Sequence, residues 1–228
     1  MEEAPQRSNV GLPGSSDAKR PRKPVRSAGV ARYEGLLDAL ETLLDEKEPE
    51  DVGLRELARV ADAPVASVYH FFPTPSAALV ALAERHMQKF VDILAEPFDV
   101  AELSSWEDFV VIASERARAY YNAHPVVLKL ILGPEQSWSI REMDLQNNRR
   151  LAQYFLEAAS MVFDLPHSES LLDRFEIAIT MTDSIWALSY ARHGTITEDL
   201  AREAQRASLA YLRGYLPAYA PKLQFPKP

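Results

Sequence analysis

From Tyr33 to Leu216 the apolar residues of this chain return at three- and four-residue steps, and proline or glycine marks the breaks in that rhythm. No stretch alternates apolar with polar residues as a half-buried strand must. The spacing therefore predicts an all-α fold of about nine helices. Tyr33, Leu36, Leu37, Leu40, Leu43 and Leu44 stripe a first helix ending near Lys47, and Leu54, Leu57, Ala58 and Ala61 stripe a short second one. A short third segment spans Val65 to Phe72. Pro73-Thr74-Pro75 then opens a long fourth helix, with Thr74 as N-cap and Pro75 at the first helical position, and Pro97 stops it. Ser104-Ser105-Trp106-Glu107 reads as a capping box for a fifth helix running to about Ala123. The sixth spans Pro125 to Leu132 and the seventh about Ser139 to Phe163. Ser168 caps an eighth that Gly194 ends, and Thr197 starts a ninth that closes near Leu216.

Composition narrows what such a bundle can do. At 47% hydrophobic and 25% charged, the 228-residue chain reads as a soluble globular protein, and no apolar run reaches the roughly 18 residues of a membrane span. The absence of cysteine removes disulfides, thiolate metal sites and cysteine nucleophiles, and fits a reducing cytoplasm. The first thirty residues lack the apolar core of a secretory signal, so a cytoplasmic location is expected. His70, His86, His124, His167 and His193 are scattered without metal-ligand spacing; no phosphate-binding glycine loop or nucleophile elbow is present. An enzyme, a metal site and a bound cofactor are therefore not expected.

Residues 1–30 stand apart. They hold four prolines, three glycines and four serines and few large apolar residues, the composition of a disordered tail. The second half of this tail is basic, with Lys19, Arg20, Arg22, Lys23 and Arg26, followed by Arg32. The expected organisation is a basic tail over 1–30, a head with its linking fourth helix over 31–96, a body over 97–220, and a short C-terminal tail over 221–228.

Residues 54–72 make a helix, a tight turn and a second helix of about two turns, the spacing of a helix-turn-helix. Leu57, Ala58, Ala61, Val68 and Phe72 fall on the inward side; Val65, Ala66, Ser67, Tyr69 and His70 fall outward. The run from Leu57 to Phe72 resembles the DNA-binding motif of TetR-family transcriptional repressors. Its most specific part is Tyr69-His70-Phe71-Phe72-Pro73 with Ala78-Leu79 opening the next helix. The resemblance implies that the first three helices bind double-stranded operator DNA and that the fourth links them to a ligand domain. It also implies that the last two helices pair with their copies in a homodimer, and that a small-molecule effector releases the operator by shifting the spacing of the two heads. Asp62 stands where the turn usually has glycine, Pro64 and Val65 replace a polar start of the recognition helix, and Pro75 stands where a phosphate-contacting lysine is common.

Charge leaves two readings open. Residues 31–98 hold six basic and thirteen acidic residues, a net of −7, while residues 1–30 carry a net of +3. Since phosphate neutralisation dominates attraction to a duplex, such a head is poorly equipped alone. In one reading the tail is an arm along the backbone or minor groove. In the other the protein is a dimeric small-molecule-binding protein of the same fold with weak or lost DNA recognition. The DNA-contacting set would be Arg22, Lys23, Arg26, Arg32, Arg55, Val65, Ala66, Ser67, Tyr69, His70 and Thr74.

In the body, polar residues on apolar faces mark a ligand site, because burial without a partner is costly. Met143, Asn147, Leu151 and Tyr154 share a face of the seventh helix, and Asp183 interrupts the apolar run of the eighth. For Asp183 three roles are open: pairing with an interior cation, the dimer seam, or a ligand. Trp186 and Tyr190 lie one turn apart beyond it. The expected ligand set is Tyr121, Met143, Asn147, Tyr154, Asp183, Trp186 and Tyr190, suited to a small apolar or aromatic effector with one or two polar anchors. Leu172, Phe175 and Ile179 on the eighth helix, and Leu200, Ala204, Ser208, Tyr211 and Tyr215 on the ninth, recur at bundle spacing and are the expected dimer seam.

Overall fold

The computed structural model describes residues 20–134, 137–166 and 169–223. Among them are nine α-helices: α1 (Ser27–Glu46), α2 (Leu54–Val60), α3 (Val65–Phe71), α4 (Pro75–Leu94), α5 (Trp106–Ala123), α6 (Pro125–Ile131), α7 (Trp138–Val162), α8 (Glu169–His193) and α9 (Glu198–Leu212). A single 3-10 turn at Pro49–Asp51 joins α1 to α2. No strand forms among the described residues beyond an isolated bridge between Phe163 and Lys222. No single described helix is long and apolar enough to cross a membrane.

The head is α1 to α3 packed on the first half of α4. The leucine stripe of α1 is buried against Leu57, Val68 and Phe72. Asp62 makes the turn between α2 and α3 with φ 45°, the left-handed conformation that a short polar side chain tolerates best after glycine. The Thr74 hydroxyl accepts the Ala77 N–H at 3.1 Å, capping α4 as its sequence suggests. In the body, α7 and α8 lie antiparallel, α9 packs on α8, and α5 closes over them. Gly194 ends α8 with φ 68°, and the Thr197 side chain caps α9.

Several expectations shift by a residue or a turn. Helix α1 begins at Ser27, so the segment drawn as tail through residue 30 ends at Arg26. The last breaker is Pro24, and nothing after it stops a helix from starting. Residues 20–26 lie against the head: the Arg22 N–H donates to the Phe71 carbonyl at 2.8 Å, and Lys23 pairs with Glu84 at 2.7 Å. Residues 1–19 lie outside the described part, as does the Ser168 cap. At α5 the cap is Ser105 rather than Ser104: the Asp108 carboxylate accepts the N–H groups of Ser104 (2.6 Å) and Ser105 (2.8 Å). Glu107 instead grips Arg213 of the α9 terminus through two contacts of 2.8 Å. Of the C-terminal tail, Pro221 to Leu223 pack on the end of α7. The Asp164 N–H donates to the Pro221 carbonyl at 3.0 Å, and the Leu223 N–H to Val162 at 2.8 Å.

Head and body are joined by polar contacts as well as by α4. The Lys129 ammonium of α6 donates to the carbonyls of Leu44 and Lys47 at 3.0 and 2.9 Å, closing the C-terminal end of α1. Arg85 of α4, mostly buried, faces Glu34, Asp38 and Glu41 of α1 at 3.5, 2.6 and 2.5 Å. His86 is buried beside it, with Nδ1 2.9 Å from the Tyr120 hydroxyl of α5. Burial, with Arg85, Lys89 and His124 nearby, holds its pKa down to about 3, so the ring is neutral.

Leu40 is fully buried in the head core, whereas Val65 is 44% exposed on α3. Leu40→Ala is expected to cost about 2–5 kcal/mol in urea unfolding, against a change within about 0.5 kcal/mol for Val65→Ala.

Candidate functional site

Three surfaces carry the residues singled out by sequence. The first is α3, the second helix of the helix-turn-helix. Val68 and Phe71 turn inward, and Val65, Ala66, Tyr69 and His70 are exposed, with Ser67 half-buried. Phe71 is thus a core residue, T-stacked on Tyr33 at 5.6 Å. Arg22, Arg26, Arg32 and Arg55 are exposed. Lys23 is exposed but engaged with Glu84, and the Thr74 oxygen is engaged at the α4 cap. The backbone contact from Arg22 to Phe71 sets the basic segment beside the C-terminal end of α3.

The second is a cavity inside the body, of about 80 Å³, walled by α4, α5, α7, α8 and α9. Of the seven residues expected there, Tyr121, Asp183 and Trp186 line it. Tyr121 and Trp186 meet edge to face at 5.8 Å. The other four lie elsewhere. Met143 and Asn147 face a groove between α7 and the head, formed with Tyr33 and Arg85 among others. Tyr154 donates its hydroxyl to the Ala95 carbonyl at 3.1 Å beyond the end of α4. Tyr190 is half-buried outside the cavity wall, its pKa raised by burial and then by Glu48.

The polar residue that does reach the cavity from α7 is Asn148, one position after the expected Asn147. Successive helical residues point about 100° apart, so that single step turns the amide from α4 toward α8. Asn148 Nδ2 donates to Asp183 Oδ2 at 2.6 Å. Asp144 of α7, also buried, pairs with Arg141 at 2.8 Å. Burial, and next the Asp144 carboxylate, push the Asp183 pKa up, while Asn148 and Arg141 pull it back in part. Asp144 is likewise pushed up by burial against the pull of Arg141. Of the roles open to Asp183, its position is interior and on the cavity wall.

Sequence reasoning missed most of the apolar lining. Phe90 and Leu94 come from the far end of α4, Phe109 and Ala117 from α5, and Phe155 from α7. Their periodicity marks them only as inward-facing, and inward residues that pack cannot be told from inward residues that border a space.

The third surface is α8 with α9. Phe175, Ile179 and Ser208, expected at the dimer seam, line the cavity, and Ala204 is fully buried within the protomer. Leu172, Leu200 and Tyr211 are half-buried, and Tyr215 is exposed with its ring under the Arg174 guanidinium at 4.5 Å. The apolar residues of α8 are not confined to one side, so periodicity leaves its phase undecided. Its outer side carries Ile177, Met181, Ser184 and Leu188, with Ile177 and Leu188 among the exposed large apolar residues.

Comparison with known proteins agrees with this architecture. Residues 104–215 match the family described as tetracyclin repressor-like, C-terminal domain. No curated protein sequence matches the chain. Among solved structures, a TetR-family transcriptional regulator from Streptomyces coelicolor is 22% identical with a TM-score of 0.59, over 81% of this chain and 97% of that one. A TetR transcriptional regulator from Rhodococcus sp. RHA1 is 21% identical with a TM-score of 0.60, over 80% and 95%. The reduced form of E. coli NemR is 20% identical with a TM-score of 0.53, over 82% and 100%. Residues 104–215 thus form a tetracyclin repressor-like C-terminal domain, and the chain as a whole has the fold of TetR-family transcriptional regulators.

Proposed function

We propose that the protein is a repressor that binds a palindromic operator as a homodimer and leaves it when a small apolar or aromatic molecule occupies the body cavity. The observation that carries this reading is that one helix serves both ends. Thr74 caps α4 directly after α3, and Phe90 and Leu94 near its other end border the cavity. A 20-residue helix spans roughly 30 Å, so a small displacement at Phe90 swings the head. The effector acts as a population shift: it binds better to the arrangement in which the two heads no longer fit successive major grooves. At about 80 Å³ the cavity is smaller than the ~150 Å³ void that holds benzene in an engineered protein, so an effector must push its walls apart. That requirement supplies the differential affinity that the shift needs.

On the DNA side, Ser67 and His70 would read base edges, Val65 and Ala66 would touch thymine methyl groups, and Tyr69 would contact phosphate. Helix α3 exposes no Lys or Arg, so the cationic contacts would come from Arg20, Arg22 and Arg26 on the segment docked at Phe71. The same lack of cations on α3 favours the second reading, a ligand-binding dimer with weak DNA recognition. Footprinting of the DNA upstream of its own gene and neighbours separates the two. A protected palindrome supports the repressor; none at low salt supports the alternative.

If the basic segment is an arm, replacing Arg20, Arg22 and Arg26 with Gln keeps the fold and makes the salt dependence of operator binding shallower. The slope of log K against log salt should fall by roughly 0.9 per lost phosphate contact. An unchanged slope rejects the arm. For the dimer, the outer stripe of α8 is the proposed seam. Ile177→Glu with Leu188→Glu should turn a dimer into a monomer in sedimentation, while Phe175→Leu, inside the protomer, should leave the dimer intact.

A further inference from the structure

We propose that the ligand of the body cavity is a small apolar amine, held through its ammonium group on Asp183. This rests on the reading of the cavity as the effector site and adds the chemical class. The buried polar set at the α7–α8 wall is unbalanced. It contains two carboxyl groups, Asp144 and Asp183, and the one guanidinium beside them, half-buried Arg141, is spent on Asp144 at 2.8 Å. Asp183 Oδ2 takes only the neutral amide of Asn148. The remaining walls offer no cation: Phe90 and Leu94 of α4, Tyr121 of α5, and Ser208 and Leu212 of α9 face the same space. A buried carboxyl group without a cationic partner keeps its proton, and burial together with Asp144 pushes Asp183 in that direction.

Two further polar atoms on the wall are buried and have no partner, the Ser114 hydroxyl and the Trp186 indole nitrogen. A ligand ammonium has three protons to give; Asp183 and Ser114 accept two of them. The aromatic walls suit both the apolar body and the cation. An oxygen on the ligand body would in addition meet the Trp186 N–H. The exchange balances as a proton release: the neutral Asp183 carboxylic acid and a free ammonium ion become a carboxylate–ammonium pair and one proton in solvent. Affinity for the amine then rises with pH, up to about tenfold per pH unit, as long as Asp183 is protonated in the empty protein. The charged groups facing Asp183 are Asp144 and Arg141, and the phenol of Tyr121, pushed far up by burial, stays neutral throughout.

The test uses the full chain and a matched series, benzylamine to 4-phenylbutylamine against the corresponding alcohols, by isothermal titration calorimetry in two buffers of different ionisation enthalpy. The expected result is tighter binding of the amines, close to one proton released per amine bound and none per alcohol. Asp183→Asn is expected to weaken the amines at least about tenfold and to leave the alcohols within about threefold. Alcohols that bind as well as amines, with no proton released, overturn the amine assignment and leave the cavity as an effector site. If neither series binds, the effector-site reading fails and the amine assignment with it. The proton count on the unmodified protein decides the question even if the Asn variant does not fold.

Discussion

One helix carries a single apolar core from the head into the body, and most of the structure follows from that. The first half of α4 buries Ala78, Ala81 and Leu82 in the head, and the second half buries Phe90 and Leu94 in the body. A helix of this length transmits rotation better than it absorbs it, because bending breaks hydrogen bonds that packing cannot replace. Head and body are therefore not free to drift independently. The polar contacts around the middle of α4 reinforce the constraint. Arg85 faces three carboxylates of α1, and the neutral His86 beside it meets Tyr120 of α5, so the helix is fixed to both partners within two adjacent residues.

The cavity shows the opposite arrangement. Its walls are aromatic and closely packed, yet they contain a carboxyl group, an unpaired hydroxyl and an unpaired indole N–H. Polar groups left in that state are costly in a protein interior. A purely structural core would replace them with apolar residues of the same shape. In the cavity they converge on one small space, which a carboxyl group, a hydroxyl and an indole N–H border together.

The helices were legible in the sequence because their ends are marked chemically. Thr74, Thr197, Gly194 and Asp62 each sit where a cap or a left-handed turn is required. Faces were legible only where a helix has one apolar side. For α1 the leucine stripe is the buried stripe. For α8, whose apolar residues are not confined to one side, periodicity does not mark Phe175 and Ile179 as bordering the cavity. On α7 the choice between Asn147 and Asn148 turned on a single residue step, which rotates a side chain from one neighbour to another. The contribution of α4 to the cavity was invisible for a different reason. Phe90 meets Tyr121 and, across the same space, Trp186, and no local pattern encodes meetings between residues so far apart in the chain.

The last residues of the described chain also have a consequence for how the protein is made. Trp106, almost wholly buried at the start of α5, gives its indole N–H to the carbonyl of Pro217, 111 positions later. The carbonyls of Val162 and Pro221 are likewise paired only once the final segment lies along the end of α7. During synthesis the helices of the head emerge long before the body is complete. A nascent chain would thus carry α5 with its tryptophan still awaiting its anchor, and translation that stops before residue 217 leaves that anchor missing. Intact chains would be distinguished from prematurely terminated ones at the tryptophan of α5, far in sequence from the point of damage.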